Sequence, residues 1–172
     1  MGRCTRRNVR GLPVVRTHMN ASARAMWDVY CASARSGSTY RLVAFGDTAE
    51  LQASLAELVV SGRKRATTSL LRWYASGDEE MPVPGGYGVV VDGAGDARCV
   101  IRTTTVDVMP FREVDAAFAF DEGEGDRTLA SWRAVHRSFF TREAAQQDFA
   151  FTEDTEVVCE RFELVWNGSN AA

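Results

Sequence analysis

Residues 87–108 carry the feature that most constrains the fold, because they have the pattern of a β-hairpin. Two runs of apolar and β-branched residues, 87–91 and 97–108, flank a turn of sequence Asp-Gly-Ala-Gly-Asp. Turn residues between two extended runs are typical of an antiparallel strand pair. The Gly-x-Gly in this turn is not a dinucleotide-binding fingerprint, since that motif requires a helix where this chain predicts a strand.

A helix is predicted at residues 49–61, well before the hairpin. Asp47 or Thr48 can cap its first turn, and apolar residues such as Leu51 recur at helical spacing and are expected to face inward. Gly62 suits the position just after the helix, where a left-handed backbone is common.

The same patterns predict four further helices and two further strands. The first of these helices is capped by Asn20 or Ser22 and broken at residues 36–38, and the second is capped by Thr67 or Thr68 and stopped at Gly77. A short helix is predicted at 113–118, and the last one runs from Thr128 or Asp126 to residue 140. The two strands are predicted at 40–45 and 155–166. Helices around a hairpin and a returning strand predict an α+β fold, with a small curled sheet or barrel and helices packed outside it.

The 172 residues fit one domain, predicted at residues 19–167, with a frayed tail at 168–172. Residues 1–18 form a basic leader with five arginines and no acid, predicted to be disordered. The leader is either a nucleic-acid arm or transit-like segment, or the product of a start codon placed upstream of Met19. The net charge is −3 and the leader carries +5, which leaves −8 for residues 19–172.

Composition excludes some classes of function and partner. No apolar run approaches the roughly 20 residues that span a bilayer. The four cysteines are scattered, which is typical of reduced thiols in a cytoplasmic protein. The net negative charge of residues 19–172 argues against binding long duplex DNA, because affinity for duplex DNA depends on phosphate neutralisation. The same net charge is compatible with a local basic cleft that binds one nucleotide or a short single strand.

Lys64 is the only lysine among 20 basic residues. Its neighbours Arg63 and Arg65 are expected to lower its pKa and leave a fraction of neutral amine, which can act as a general base. Thr67, three residues on, then supplies a hydroxyl nucleophile. The alternatives are a solvated lysine that survived by chance and a threonine that only caps a helix.

An acidic segment, Glu-Gly-Glu-Gly-Asp at residues 122–126, is the second candidate cluster. Its glycines allow Glu122, Glu124 and Asp126 to come close together. The three carboxylates can pair with Lys64, share a proton, or hold Mg²⁺ or Mn²⁺. The alternative is a solvated acidic loop that precedes a helix N-terminus.

Three ring side chains are further candidates. His136 lies on the expected inward side of its helix, as a substrate contact or a hydrogen-bonded core residue. Trp132 and Tyr87 can stack a base or belong to the core. No spacing of His and Cys supports a zinc site.

Several of these segments together resemble the ASCH domain family. They are Phe-Gly-Asp at 45–47, Leu-Val-Val-Ser-Gly-Arg-Lys-Arg-Ala-Thr-Thr at 58–68, the Pro-Gly turn before Tyr87, the acidic segment at 122–126, and Trp-Arg-x-x-His at 132–136. The resemblance runs from about residue 27 to residue 166.

The resemblance implies a PUA-like barrel with a cleft beside it and a role in RNA binding or RNA metabolism. Some members of the family cleave RNA, and some small members hydrolyse the amide of N4-acetylcytidine with a Lys, a Thr and a Glu. The Lys and Thr carry over onto Lys64 and Thr67. The Glu carries over onto Glu122 or Glu124, of which Glu122 is favoured.

Three hypotheses for the function follow. The leading one is a hydrolase of single-stranded RNA, with Lys64 as base or phosphate contact, Thr67 as nucleophile or positioning hydroxyl, and Glu122 as charge partner. Arg63, Arg65 and Thr68 are expected to contact the substrate. The second hypothesis is an amidohydrolase of an acylated cytosine nucleoside. The third is a non-catalytic RNA-binding module.

Overall fold

A computed structural model of the protein describes residues 20–34, 39–75 and 79–168. The predicted leader, Met19, the helix break at residues 36–38, Gly77 and residues 169–172 of the predicted tail lie outside these ranges. The extent of the predicted domain therefore stays a prediction.

The described residues form five strands and five helices, with one short 3-10 turn. In chain order they are α1 (Ala21–Ala34), β1 (Tyr40–Val43), α2 (Ala49–Val60), β2 (Ala66–Leu70), α3 (Leu71–Ala75), β3 (Tyr87–Val91), β4 (Ala97–Pro110), the 3-10 turn Phe111–Glu113, α4 (Ala116–Glu122), α5 (Leu129–Gln146) and β5 (Glu156–Trp166).

The five strands make one mixed sheet in the order β1-β3-β4-β5-β2. The predicted hairpin is confirmed as the antiparallel pair β3–β4, in which Val89 lies opposite Val100. Strand β1 pairs with β3 in parallel, while β5 pairs antiparallel with both β4 and β2. Strands β1 and β2 therefore form the two edges of the sheet.

The sheet is curled, as the sequence predicted. Arg41 on β1 forms an ion pair with Glu160 on β5, three strands away. In a flat sheet, strands spaced by about 4.8 Å would hold these two backbones roughly 14 Å apart. The pair closes only because the sheet bends toward the face that carries both residues. The sheet does not close into a barrel, since within the described ranges its two edge strands are not paired with each other.

Helices cover both faces of the sheet and bury three apolar clusters. Helix α1 packs through Trp27 and Tyr30 against β3 and β4. Helix α2 packs through Leu55 and Val59 against the face that carries Arg41 and Glu160. Helices α4 and α5 cover the opposite face of β2 and β5. Because α2 and α5 lie on opposite faces, both approach the edge strand β2.

Several predicted helix ends are confirmed. The side chain of Thr48 accepts a hydrogen bond from the backbone N–H of Leu51, and Thr128 caps α5 in the same way. Asn20 caps α1 by accepting from the N–H of Ala23 at 2.8 Å. Gly62 has a φ of +73°, as expected for a residue just after a helix.

Other predictions for local structure were wrong. Thr67 and Thr68 do not cap a helix but lie inside strand β2, because pairing with β5 outweighs their local tendency to cap. Leu51 was expected inside but is 40% exposed. The short helix predicted at residues 113–118 is α4, and it ends at Glu122, so this residue belongs to a helix and not to a solvated loop.

No helix among the described residues is long and apolar enough to cross a membrane.

Candidate functional site

A pocket of about 540 Å³ lies along the edge strand β2, between helices α2 and α5. Its walls come from helices α2 and α5, from residues 45–47, from Lys64, Thr67 and Thr68, and from Glu122 and Glu124. This volume falls in the range of small-molecule sites. The pocket is therefore large enough for one nucleoside-sized ligand.

Lys64 lies at the polar end of the pocket with its side chain only 1% exposed. Its Nζ lies 3.0 Å from Oε2 of Glu122 and 2.6 Å from Oε1 of Glu124. An ammonium group has three N–H donors, and these two bonds use two of them. The ring of Phe45 also lies beside the ammonium group, with its centroid 5.3 Å from Nζ. The third donor of Lys64 has no hydrogen-bond acceptor among the described residues.

The pKa of Lys64 is shifted in the direction opposite to the sequence-based expectation. Burial on its own would lower the pKa of the ammonium group, but the carboxylates of Glu122 and Glu124 raise it above its ordinary value. Arg63 and Arg65 do not lower the pKa of Lys64 as expected, because their guanidinium groups contact other residues. Lys64 is therefore a stable ammonium group at neutral pH and does not have the properties of a general base.

Arg63 and Arg65 hold the acidic segment in place. Arg63 donates from Nε to the carbonyl of Gly123 and from Nη2 to the carbonyl of Gly125, both at 2.7 Å. Arg65 donates to Asp121 at 2.7 Å. These two predicted substrate contacts instead anchor the segment that carries Glu122 and Glu124.

Glu122 is a buried hub of hydrogen bonds and is only 1% exposed. Its Oε2 accepts from Lys64, while Oε1 accepts from the hydroxyl of Thr68 and from Nε1 of Trp132 at 2.9 Å. His136 Nε2 lies 3.5 Å from the same Oε1. Burial on its own would raise the pKa of Glu122, but Lys64, His136 and the hydrogen bonds hold it below its ordinary value. Glu122 is thus a fixed carboxylate with little capacity to accept another proton.

Glu124 is the accessible carboxylate of the pocket. Its side chain is 28% exposed, and the contact with Lys64 uses Oε1. Glu124 therefore fits the role of a proton acceptor better than Glu122, the glutamate that was favoured from the sequence as a charge partner.

Asp126 does not join the other two carboxylates. It accepts hydrogen bonds from the backbone N–H and hydroxyl of Thr128 and so supports the start of α5. Glu122 and Glu124 both face Lys64. The structure thus does not bring together the three residues predicted to hold Mg²⁺ or Mn²⁺, and no cluster of three His, Cys, Asp or Glu residues in the described ranges is placed to hold a metal ion.

Gly123 allows the acidic segment to lie against the chain at Arg63. Its φ is +74°, and a Cβ at this position would lie 2.3 Å from the carbonyl oxygen of Arg63. Only glycine tolerates both the left-handed backbone and this close approach. The glycine between Glu122 and Glu124 thus explains how both carboxylates reach one lysine.

Thr67 and Thr68 both line the pocket but face opposite sides of β2. Successive side chains in a strand alternate between the two faces of the sheet. Thr68 points toward Glu122, to which it donates, so Thr67 points toward the other face. The structure therefore joins Lys64 to Thr68 through Glu122, whereas the sequence predicted a direct pairing of Lys64 with Thr67.

The structure brings two of the three predicted ring residues together and separates the third from them. His136 lines the pocket, and its Nδ1 donates to the carbonyl of Trp132 at 3.0 Å, since a carbonyl can only accept. Trp132 lies beneath the pocket, stacked on His136 at 4.3 Å between ring centroids. Tyr87 packs against Trp27 and Tyr30 in the core under α1, away from the pocket.

Sequence reasoning missed the apolar wall and the mouth of the pocket. Leu55, Phe139 and Phe45 form the apolar parts of the pocket wall, and Arg142 forms an ion pair with Asp47 at the mouth. The sequence places these residues on separate elements, and no local motif joins them. The Phe-Gly-Asp segment at 45–47 was the only available signal.

Comparisons with known proteins agree with this architecture. A family model described as an ASCH domain matches residues 41–166. The crystal structure of an ASCH domain from Lactobacillus crispatus JV V101 is 32% identical with a TM-score of 0.81, over 87% of this chain and 98% of that one. The crystal structure of a protein from Enterococcus faecalis V583 is 34% identical with a TM-score of 0.80, over 88% of this chain and 92% of that one. The comparison with curated proteins gives no match.

Proposed function

The chain belongs to the ASCH domain family, an RNA-binding-like class of domain, and from this premise we propose that it hydrolyses an acyl amide on a nucleobase. The proposed substrate class is N-acylated cytosine nucleosides, of which N4-acetylcytidine is the simplest. The observation that carries the proposal is the pocket itself, which combines a buried ammonium group and an accessible carboxylate with apolar side chains.

The charges of the pocket favour a base over an RNA backbone. Its interior holds one ammonium group, Lys64, and two carboxylates, Glu122 and Glu124. The neighbouring Arg63 and Arg65 are engaged with the acidic segment. A phosphate entering this pocket would meet an excess of negative charge, which disfavours it. A neutral ligand that donates N–H groups is complementary to it.

The apolar wall supports a flat ligand of nucleobase size. Phe45 and Leu55 line the pocket on the side of α2, and Phe139 lines it on the side of α5. A base placed between these apolar side chains directs its exocyclic amide toward Lys64 and Glu124. Aromatic and aliphatic walls with a few convergent polar groups are typical of small-ligand sites.

The chemistry assigned to these residues is acyl transfer to water through Thr67. The Thr67 hydroxyl attacks the amide carbonyl carbon while Glu124 accepts its proton, and the remaining N–H of Lys64 stabilises the oxyanion. The C–N bond breaks as Glu124 returns the proton to the amine nitrogen. Water then attacks the acyl-threonine ester, which releases the carboxylic acid and restores Thr67.

The cysteines support a cytoplasmic location for this activity. Cys99 and Cys159 are free and buried, and burial raises the pKa of each thiol to about 12. Thiols of this kind are unreactive and suit a reducing compartment. We therefore propose that the protein acts in the cytoplasm.

The test is to incubate the purified protein with N4-acetylcytidine and, separately, with labelled single-stranded RNA, each with and without EDTA. Chromatography measures the release of cytidine, and gel electrophoresis measures RNA cleavage. We expect release of cytidine and no cleavage. The variants Glu124→Gln and Thr67→Val should lose the reaction, whereas Glu163→Gln, an exposed glutamate paired with Arg102, should keep it.

The other outcomes distinguish the alternatives. RNA cleavage without release of cytidine would replace the proposal with the hydrolase of single-stranded RNA. Binding of RNA without either reaction would replace it with a non-catalytic RNA-binding module. Loss of cytidine release with EDTA would place a metal ion in the mechanism and overturn the assignment of Thr67 as nucleophile.

A further inference from the structure

The hydrogen bonds between β2 and β5 fix the direction of the backbone N–H groups along β2. In an antiparallel pair, hydrogen-bonded and non-hydrogen-bonded positions alternate along the strands. The N–H of Phe162 donates to the carbonyl of Arg65 at 2.9 Å. The same register continues to Thr67, which lies opposite Glu160. Thr67 is therefore at a hydrogen-bonded position, and the next residue, Thr68, is at a non-hydrogen-bonded one.

The hydrogen bonds on the other side of β5 agree with this assignment. Cys159, the register partner of Thr68, also lies opposite Asp107 on β4. Farther along the β4–β5 register, the N–H of Phe111 donates to the carbonyl of Thr155 at 2.9 Å. The alternation then places the backbone groups of Cys159 toward Asp107. The N–H and C=O of Thr68 are therefore directed away from β5, toward the free edge of the sheet.

The free edge of β2 belongs to the wall of the pocket. Within the described ranges no other strand pairs with this edge, and no backbone group there accepts a hydrogen bond from the N–H of Thr68. Thr68 lines the pocket and is only 9% exposed. Buried N–H groups without a protein partner are costly and rare. The N–H of Thr68 is thus a donor that a ligand in the pocket can use.

We infer that the backbone N–H of Thr68 is a catalytic group that stabilises the oxyanion of the deacylation. As the Thr67 hydroxyl attacks the amide carbon, its proton passes to Glu124 and the electron pair of the C=O bond moves onto the oxygen. This oxygen accepts hydrogen bonds from the N–H of Thr68 and from Nζ of Lys64. It becomes a carbonyl again as the C–N bond breaks and Glu124 returns the proton to the nitrogen. The inference rests on the proposed function and extends it from one oxyanion donor to two.

The position of Thr68 in the chain suits this role. In α/β-hydrolases, one donor of the oxyanion hole is the backbone N–H of the residue that follows the nucleophile. Such a donor is fixed before the reaction begins, so it stabilises the developing charge without reorganisation. The side chain of Thr68 donates to buried Glu122 and thereby holds the backbone in place. The hydroxyl and the N–H of Thr68 thus have different functions.

The experiment replaces one backbone amide by an ester, which removes the N–H and keeps the side chain. The test protein has the ester between Thr67 and Thr68, and the matched control has it between Arg65 and Ala66. Each ester removes an N–H that points to the free edge and weakens one carbonyl that pairs with β5. Ala66, however, is not among the described residues that line the pocket. Steady-state deacylation of N4-acetylcytidine gives kcat and KM for both proteins.

For the ester at Thr68 we expect kcat to fall about 10²–10³-fold at an unchanged KM, because the lost hydrogen bond forms mainly in the transition state. The ester at Ala66 should keep the kcat of the parent protein. Equal kcat values in the two ester proteins would overturn the inference and leave the proposed function standing. A parent protein that releases no cytidine would overturn the proposed function and the inference together.

Amide hydrogen exchange, measured by NMR, decides the question if the ester at Thr68 prevents folding. In the free protein the N–H of Thr68 should exchange faster than those of Thr67 and Ser69, which pair with β5. N4-acetylcytidine added to the Glu124→Gln variant should shift the Thr68 amide proton downfield and slow its exchange, and should leave the amide proton of Ala66 unchanged. A Thr68 amide as protected as its neighbours in the free protein, or unaffected by the nucleoside, would contradict the inference.

Discussion

Nζ of Lys64 and Oε1 of Glu124 lie 2.6 Å apart, although the lysine side chain is 1% exposed and the glutamate 28%. This contact links a buried ammonium group to the accessible surface of the pocket. The two glutamates that bind Lys64 therefore differ in exposure, since Glu122 is enclosed and Glu124 is open to a ligand.

Lys64 is expected to resist acylation in the folded protein. It is the only lysine, so an amine-reactive reagent has one side-chain target besides the terminal amine. Burial and a raised pKa keep the side chain in its protonated form, and acylation requires the neutral amine. Mass spectrometry should find Lys64 unmodified until the chain is unfolded in urea. Acylation in the folded state at the rate of a free lysine would contradict this structure of the site.

Glu122→Gln should mainly lower stability, whereas Glu124→Gln should mainly lower activity. Glu122→Gln should lower the free energy of unfolding by about 3 kcal/mol, because it removes a buried, paired charge. Glu124→Gln should change it by less than about 1 kcal/mol and lower turnover by about 10²–10⁴-fold. Urea unfolding and deacylation assays provide the two measurements. Loss of activity in a stable Glu122→Gln protein, with full activity in Glu124→Gln, would assign the proton-transfer role to Glu122 instead.

The stabilising effect of Glu122 should disappear in acid. Its folded-state pKa lies below the ordinary value, so its contribution is present above the unfolded pKa, about 4.3, and is lost as the pH falls through the folded pKa. The difference in unfolding free energy between the parent protein and Glu122→Gln should therefore be constant from about pH 6 to 8 and shrink below about pH 4. A difference that does not change down to pH 3 would show that the charge of Glu122 is not what stabilises the fold.

Gly123→Ala should disrupt the site, and Gly62→Ala is its matched control. The two glycines have φ values of +74° and +73°, but a Cβ at position 62 meets nothing within 4 Å. Gly62→Ala should therefore cost about 1 kcal/mol from the left-handed backbone alone. Gly123→Ala adds a clash with the carbonyl of Arg63, so it should destabilise the protein further and expose Lys64 to acylation. Equal effects of the two substitutions would mean that the close approach at Gly123 is not required.

Thr67→Val and Thr68→Val should separate the two hydroxyls. Thr68 donates to buried Glu122, so Thr68→Val should lower the free energy of unfolding by about 2 kcal/mol. Thr67→Val should leave stability within about 0.5 kcal/mol and abolish turnover. Unfolding and deacylation measurements on both variants check this. A Thr67→Val protein with normal turnover would exclude an acyl-threonine intermediate.

Local patterns in the sequence were sufficient for much of the fold. Alternation and turn residues predicted the β3–β4 hairpin, and Thr48, Thr128 and Gly62 marked helix ends, because these signals depend on neighbours within a few residues. The absence of any other lysine drew attention to Lys64 without knowledge of its surroundings. The resemblance to the ASCH family then joined the acidic segment to it.

The tertiary structure alone decided what these residues can do. The sequence-based pKa argument for Lys64 used its neighbours Arg63 and Arg65, whereas the field at its ammonium group comes from Glu122 and Glu124, 58 and 60 residues away. Thr67 and Thr68 have the pattern of a helix cap, and only pairing with β5 places them in a strand and directs them to opposite faces. Glu160 lies in strand β5 among other charged residues, and no local signal distinguished it. Its partner Arg41 lies three strands away and reaches it across the curled sheet, and the curl is a property of the packed sheet that no local segment encodes.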